Sequence, residues 1–174
     1  MCISDRGVSE AISITNNKYI GIIGTIATVT SDAYSIALKA LDNNIKTISQ
    51  ACPLFVPLVE EGWLEGDVVN MVVNHYLSPL KKKNIDTLIL GCTHYPLLKN
   101  TIAKQLNRTV ELIDSANAVA RTVQKQLTDH NILNNKNDNG SLICFVTDIP
   151  MRFKVLGKRF LGSYIDSVQI VNDL

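Results

Sequence analysis

Hydrophobic and polar positions along this 174-residue chain switch between two periods, and each switch marks a predicted element. Residues 5–15 predict a short helix, which Asn16-Asn17 breaks. Tyr19-Ile20-Gly21-Ile22-Ile23 is then an unbroken apolar run, as expected of a parallel strand covered on both faces. Gly24-Thr25 turns the chain, and Ser31 is placed to cap a helix carrying Tyr34, Ile36, Ala37, Leu38 and Leu41. Lys46 to Ala51 reads as a second strand. From Cys52 to Gly62 the chain is apolar but carries Pro53 and Pro57, which forbid a regular interior helix. A buried loop leading into a short helix, with Glu60 and Glu61 near its start, is predicted there. A plainer helix begins at Asp67, with Val68, Val72 and Tyr76 on one stripe and Val69, Val73 and Leu77 beside it, and should stop near Pro79. Lys81-Lys82-Lys83 reads as a solvated helix end favoured by the macrodipole.

The third strand, Asp86 to Leu90, runs into Gly91-Cys92-Thr93-His94-Tyr95-Pro96, and a helical pattern of Leu97, Leu98, Ile102 and Leu106 follows. Val110 to Ile113 is a fourth strand, and Asp114-Ser115 caps a helix bearing Ala116, Val119, Ala120, Val123 and Leu127. This alternation predicts an α/β fold, a parallel sheet flanked by helices. Asn131 to Gly140 is a polar loop without periodicity. Ser141 to Val146 is a fifth strand, Thr147-Asp148 opens a helix with Pro150 in its first turn and Gly162 as its stop, and Ser167 to Val171 is a last strand. Two strands and one helix are too few to bury their own apolar faces, so this tail must pack on something else.

A formal net charge of +1 gives no electrostatic case for nucleic acid or an anionic membrane. No apolar run approaches the roughly 18 residues of a membrane span. Met1-Cys2-Ile3-Ser4-Asp5-Arg6 does not read as a signal peptide, so the cytoplasm is the expected location. Cys2, Cys52, Cys92 and Cys144 are widely spaced with no Cys-x-x-Cys pair, which favours reduced thiols over a disulfide framework or a structural zinc site.

Open α/β sheets bind ligands beyond the carboxyl ends of their strands. Thr25, Cys52 with Glu60, and Cys92-Thr93-His94 all fall there. Cys92 is the leading candidate. A thiol near a helix N-terminus feels the positive end of the dipole, and a neighbouring imidazolium would lower its pKa further. Such a thiolate serves as nucleophile or proton-transfer base. A Gly-Cys-Thr turn is equally compatible with tight packing alone. The apolar, proline-rich surroundings of Cys52 favour a structural thiol, Glu60-Glu61 also suit an exposed helix start, and Cys2 and Cys144 receive no role. A metal at Cys92 and His94 would need further ligands, and no suitably spaced set occurs.

Gly91-Cys92-Thr93-His94-Tyr95-Pro96-Leu97-Leu98 resembles the second active-site motif of the cofactor-independent glutamate racemases. The resemblance continues in Ile23-Gly24-Thr25-Ile26-Ala27-Thr28-Val29, in Ala51-Cys52-Pro53 through Val59-Glu60, and in Phe145-Val146-Thr147-Asp148 with Arg152-Phe153 and Leu156 to Gly162. It implies two pseudo-symmetric α/β domains with a cleft between them, where two cysteines face opposite sides of the substrate's α-carbon. One thiolate removes the α-proton and the other thiol returns one, with no pyridoxal phosphate or metal. Carried over by motif, Cys92 is one acid/base residue, His94 and Glu60 tune or assist it, and Thr93, His94 and Thr25 contact the substrate. The product would be D-glutamate for peptidoglycan.

The family's opening Asp-Ser-Gly, Pro-Tyr-Gly and Ala-Cys-Asn-Thr motifs do not occur here, and Cys2 lacks the context of the last. The resemblance therefore implies one complete domain over 16–130, a polar loop over 131–140, and residues 1–15 and 141–174 as remnants of an incomplete second domain. The expected partners are glutamate and either a missing first half or a second copy of the chain. Alternatives are a racemase half acting on another acidic amino acid such as aspartate, or an inactive remnant serving as a binding or regulatory module.

Overall fold

A computed structural model describes residues 3–134, 140–147, 149–162, 165 and 167–171. Cys2 and Asp148, and with them residues 135–139 of the expected loop, lie outside the described residues. The chain divides into two compact units, 1–133 and 134–174.

The first unit is built on four strands, β1 (Tyr19–Gly24), β2 (Lys46–Ala51), β3 (Thr87–Gly91) and β4 (Glu111–Asp114). All pair in parallel, in the order β2-β1-β3-β4. Successive strand residues point to opposite faces, so an unbroken apolar run feeds two cores at once. Ile20, Ile22, Ile89 and Ile113 enter the core beneath α1 (Ile3–Ile14) and α3 (Ala33–Leu41). Ile23, Leu88 and Leu90 enter the opposite core, together with Phe55 and Val59 of α4 (Phe55–Glu60) and Val69, Val73, Leu77 and Leu80 of α5 (Asp67–Lys81). Leu98 of a 3-10 turn (Tyr95–Leu98) and Ile102 of α6 (Lys99–Gln105) complete that core. The α/β class and its parallel sheet are as the residue pattern predicts.

Four local expectations change. Ser31 does not cap the helix after β1. A short α2 (Ile26–Thr30) intervenes, Thr25 caps it by accepting the Thr28 N–H at 3.2 Å, and Ser31 ends it. Asp32, with φ of 51°, then starts α3. Helix α5 runs through Pro79 to Lys81, because fully buried Leu80 holds the last turn in the core. Glu60 ends α4 instead of starting a helix. Pro57 is tolerated there because it sits in the first turn, where its missing N–H removes no intrahelical bond. Finally, α1 packs against α3, β3, β4 and α7 (Ser115–Asp129), and Arg121 pairs with Glu10 at 3.1 Å. Residues 3–14 thus belong with the first unit, not with the tail.

The second unit is a parallel pair, β5 (Ile143–Val146) and β6 (Ser167–Ile170), crossed by α8 (Pro150–Leu161). Pro150 occupies the first turn of α8, and Gly162, at φ of 74°, ends it. Phe145, Ile149 and Met151 remain largely exposed, the surplus of apolar surface expected of so few elements.

Candidate active site

Register brings the candidate residues to one edge of the first unit's sheet. Gly24 is opposite both Ala51 and Gly91, so Thr25, Cys52 and Cys92 each follow a strand that ends at the same level. The chain leaves β1 toward β2 on one side and later returns to β3 on the other. The carboxyl ends of β1 and β3 therefore form the topological switch point, where open α/β sheets leave a crevice.

Cys92 is half-buried at this point. Its carbonyl accepts the Tyr95 N–H at 3.2 Å, which closes a tight turn into the 3-10 segment. The turn delivers the His94 and Tyr95 N–H groups to the thiol. Burial nevertheless outweighs those two donors and holds the thiol above its ordinary value. The lowered pKa expected from a helix end and an imidazole is thus reversed, and Cys92 rests as a thiol.

His94 connects the thiol to a carboxylate. Its Nδ1 lies 4.0 Å from Cys92 Sγ and 3.4 Å from Thr93 Oγ1, and its Nε2 lies 3.5 Å from Glu60 Oε1. His94 and Glu60 side chains are each 25% exposed, open enough to exchange protons yet partly shielded from water. The fold accordingly assembles Cys92, Thr93, His94 and Glu60 from two segments more than thirty residues apart. Thr25 lies one strand away, with its hydroxyl engaged 3.0 Å from that of Thr28.

Cys52 is fully buried, lies 3.6 Å from the Gln50 carbonyl oxygen, and is pushed up to about 12 by burial. A thiol so placed does not ionise near neutrality, which fits packing better than acid/base work. Cys144 is half-buried within β5 of the second unit. Among the described residues no three His, Cys, Asp or Glu side chains converge as a metal-holding group.

Tyr95 was not a candidate by sequence. Its side chain is fully buried, and its hydroxyl donates to the Cys52 carbonyl at 2.9 Å. A tyrosine directly after Cys-Thr-His is visible in the sequence, but its acceptor lies 43 residues away and is not.

A family model described as Asp/Glu/Hydantoin racemase matches residues 2–123. The chain is 43% identical over 165 residues to a glutamate racemase of Chlorobium phaeobacteroides, covering 95% of this chain and 61% of that protein. It is also 43% identical over 170 residues to one of Neisseria meningitidis serogroup C, covering 98% and 63%. Among solved structures, the glutamate racemase of Francisella tularensis in complex with D-glutamate superposes with a TM-score of 0.87 at 37% identity, over 98% of this chain and 62% of that one. A glutamate racemase isoform of Bacillus anthracis gives 0.88 at 38% identity, over 98% and 63%. The chain spans slightly over three fifths of the length of these relatives. With a parallel sheet, a switch-point thiol and a family model matched along most of its length, this chain belongs to the Asp/Glu/hydantoin racemase family.

Proposed function

We propose that this chain supplies the Cys92 side of a glutamate racemase that works by two-thiol proton transfer. The observation that carries the reading is the Cys92, His94 and Glu60 series at the switch point, in a chain about 40% identical to glutamate racemases along almost its whole length.

Racemisation breaks the Cα–H bond of an amino acid and reforms it on the opposite face. The base must approach one face, hold a proton reversibly, and sit where water does not compete. What supports Cys92 in this role is its half-buried place at the switch point, with the His94 and Tyr95 N–H groups at the sulfur. With Cys92 ionised, its sulfur takes the α-proton while the electron pair of the C–H bond moves into the substrate carboxylate. In the other direction the Cys92 thiol delivers its proton to the carbanion. His94 moves the proton to or from the sulfur, and Glu60 steadies the charge that His94 gains. Thr93 and Thr25 offer hydroxyls to the substrate. The opposite face needs a second thiol, a requirement that Cys52, buried and held as a thiol, does not meet. The D-glutamate formed would serve peptidoglycan synthesis.

The test follows the α-proton of D- and L-glutamate, and in parallel of D- and L-aspartate, in D2O by NMR. It uses the chain with and without the portion of the Neisseria relative that this chain does not span. Racemisation with deuterium incorporation is expected from the mixture and is lost in Cys92→Ser. Activity that survives Cys92→Ser, or turnover of aspartate in preference to glutamate, would sink the reading. No turnover at all in the mixture would support an inactive binding module instead.

A further inference from the structure

We infer that Tyr95 is a positioning residue for Cys92, its buried hydroxyl and ring tying the Cys92 turn to the end of β2 and the start of α4. As a part of catalysis this role rests on the proton-transfer function proposed for Cys92; as a part of the fold it rests on geometry alone.

The geometry forms a closed circuit. The Tyr95 hydroxyl donates to the Cys52 carbonyl at 2.9 Å, so the turn after β3 is anchored to the turn after β2. The Tyr95 ring stands edge-on to Phe55, with centroids 5.1 Å apart and planes at 75°. Phe55 opens α4, and Glu60 at the other end of that short helix reaches back to His94 at 3.5 Å. One side chain therefore fixes both the N–H groups that face Cys92 and the helix that carries the carboxylate. Both Tyr95 and Phe55 are fully buried, so neither rearranges without a local opening of the core.

The hydroxyl is also held in its donating form. Burial, and then the proximity of Cys52, Cys92 and Tyr76, keep it above its ordinary value. The titratable groups around this circuit are Glu60 from α4, His94 on the turn itself, Cys52 after β2, and Tyr76 from α5. Any buried hydroxyl must find an acceptor, so what bears on position is where this one lies. Here the bond spans the two strand ends that flank β1, at the mouth of the crevice.

The experiment compares the full chain with Tyr95→Phe, which keeps the ring and removes only the donor. Timed alkylation with iodoacetamide from pH 7 to 11, read by mass spectrometry on the peptide holding Cys92, gives the thiol's titration profile. Loss of the anchor loosens the two N–H groups at the sulfur. The profile should then move upward, and alkylation at pH 8 should slow about threefold. Continued protection of Cys52 reports that the core stays closed. A lowered unfolding temperature with an unmoved Cys92 profile would mean that Tyr95 is structural only, and would overturn the proposal. Should Tyr95→Phe fail to fold, Phe55→Leu takes its place. It removes the ring that aims the hydroxyl, and a parent-like profile there also overturns the proposal. Alkylation reads the thiol's surroundings, not turnover. Failure to racemise therefore counts against the functional reading alone, and an unmoved profile against the positioning role alone.

Discussion

His94 Nε2 lies 3.5 Å from Glu60 Oε1, which joins the turn after β3 to the last residue of α4. The pair links a thiol to a carboxylate through one imidazole, with 4.0 Å between Cys92 Sγ and Nδ1. A carboxylate so placed orients the ring, and its charge faces the imidazole on the side away from the thiol.

Glu60→Gln should therefore slow racemisation in the two-part assay by about 10²-fold while leaving KM near the parent value. Glutamine retains an oxygen acceptor but not the charge, so the ring stays in place and loses its electrostatic support. Steady-state kinetics on both enantiomers checks the split. A rise in KM with unchanged kcat would mean that Glu60 binds substrate and does not support His94.

A second charge holds the opposite end of the sheet. Asp86 accepts the Thr15 hydroxyl at 2.7 Å, the Asn16 and Asn17 N–H groups at 2.7 and 2.8 Å, and the Thr87 hydroxyl at 2.9 Å. Burial pushes the carboxyl up, but the bonds from Thr15, Asn17, Asn16 and Thr87 outweigh it and hold the group below its ordinary 3.8. The sign follows. A carboxyl lowered in the folded state adds stability that is fully present above the unfolded value and is lost as pH falls through the folded one. Asp86→Asn should therefore reduce stability to urea by about 2 kcal/mol at pH 7. The gap between parent and variant should narrow once pH drops below 3.8. A gap that is constant down to pH 2.5 would show that the bonds do not depend on charge.

Much of this was legible along the chain because its cause is local. The runs Tyr19–Ile23 and Leu88–Leu90 announce doubly covered strands, since every second residue must find a core. Gly91 to Leu98 carries the thiol, the imidazole and the turn in one stretch. What stayed hidden depends on residues far apart. Nothing near Pro79 reveals that Leu80 will be buried deeply enough to continue α5. The upward sign of the Cys92 shift has no local signature, because burial, a property of the assembled core, outweighs the adjacent N–H groups. The bond from Tyr95 to the Cys52 carbonyl joins two strand ends that only the β2-β1-β3 order brings together.

That strand order also sets the tolerance of the two glycines at the mouth of the crevice. A Cβ at Gly91 would meet the Ile23 carbonyl oxygen at 2.9 Å, with the Tyr34 ring at 3.1 Å and Thr28 Cγ2 at 3.3 Å. The first contact is backbone and cannot rotate away, so β1 and β3 must separate or the Cys92 turn must shift. A Cβ at Gly24 would meet the Thr28 side chain at 2.9 Å, and the nearest backbone atom, the Gly91 carbonyl oxygen, only at 3.6 Å. Thr28 can yield by a change of rotamer, although that breaks its hydroxyl contact with Thr25. Gly91→Ala should thus destabilise the chain by about 2–3 kcal/mol and Gly24→Ala by about 1 kcal/mol or less. Urea unfolding of both variants beside the parent checks the ranking. Equal losses would show that the strand ends are pliant, and that the close approach of β1 and β3 does not fix the placement of Cys92.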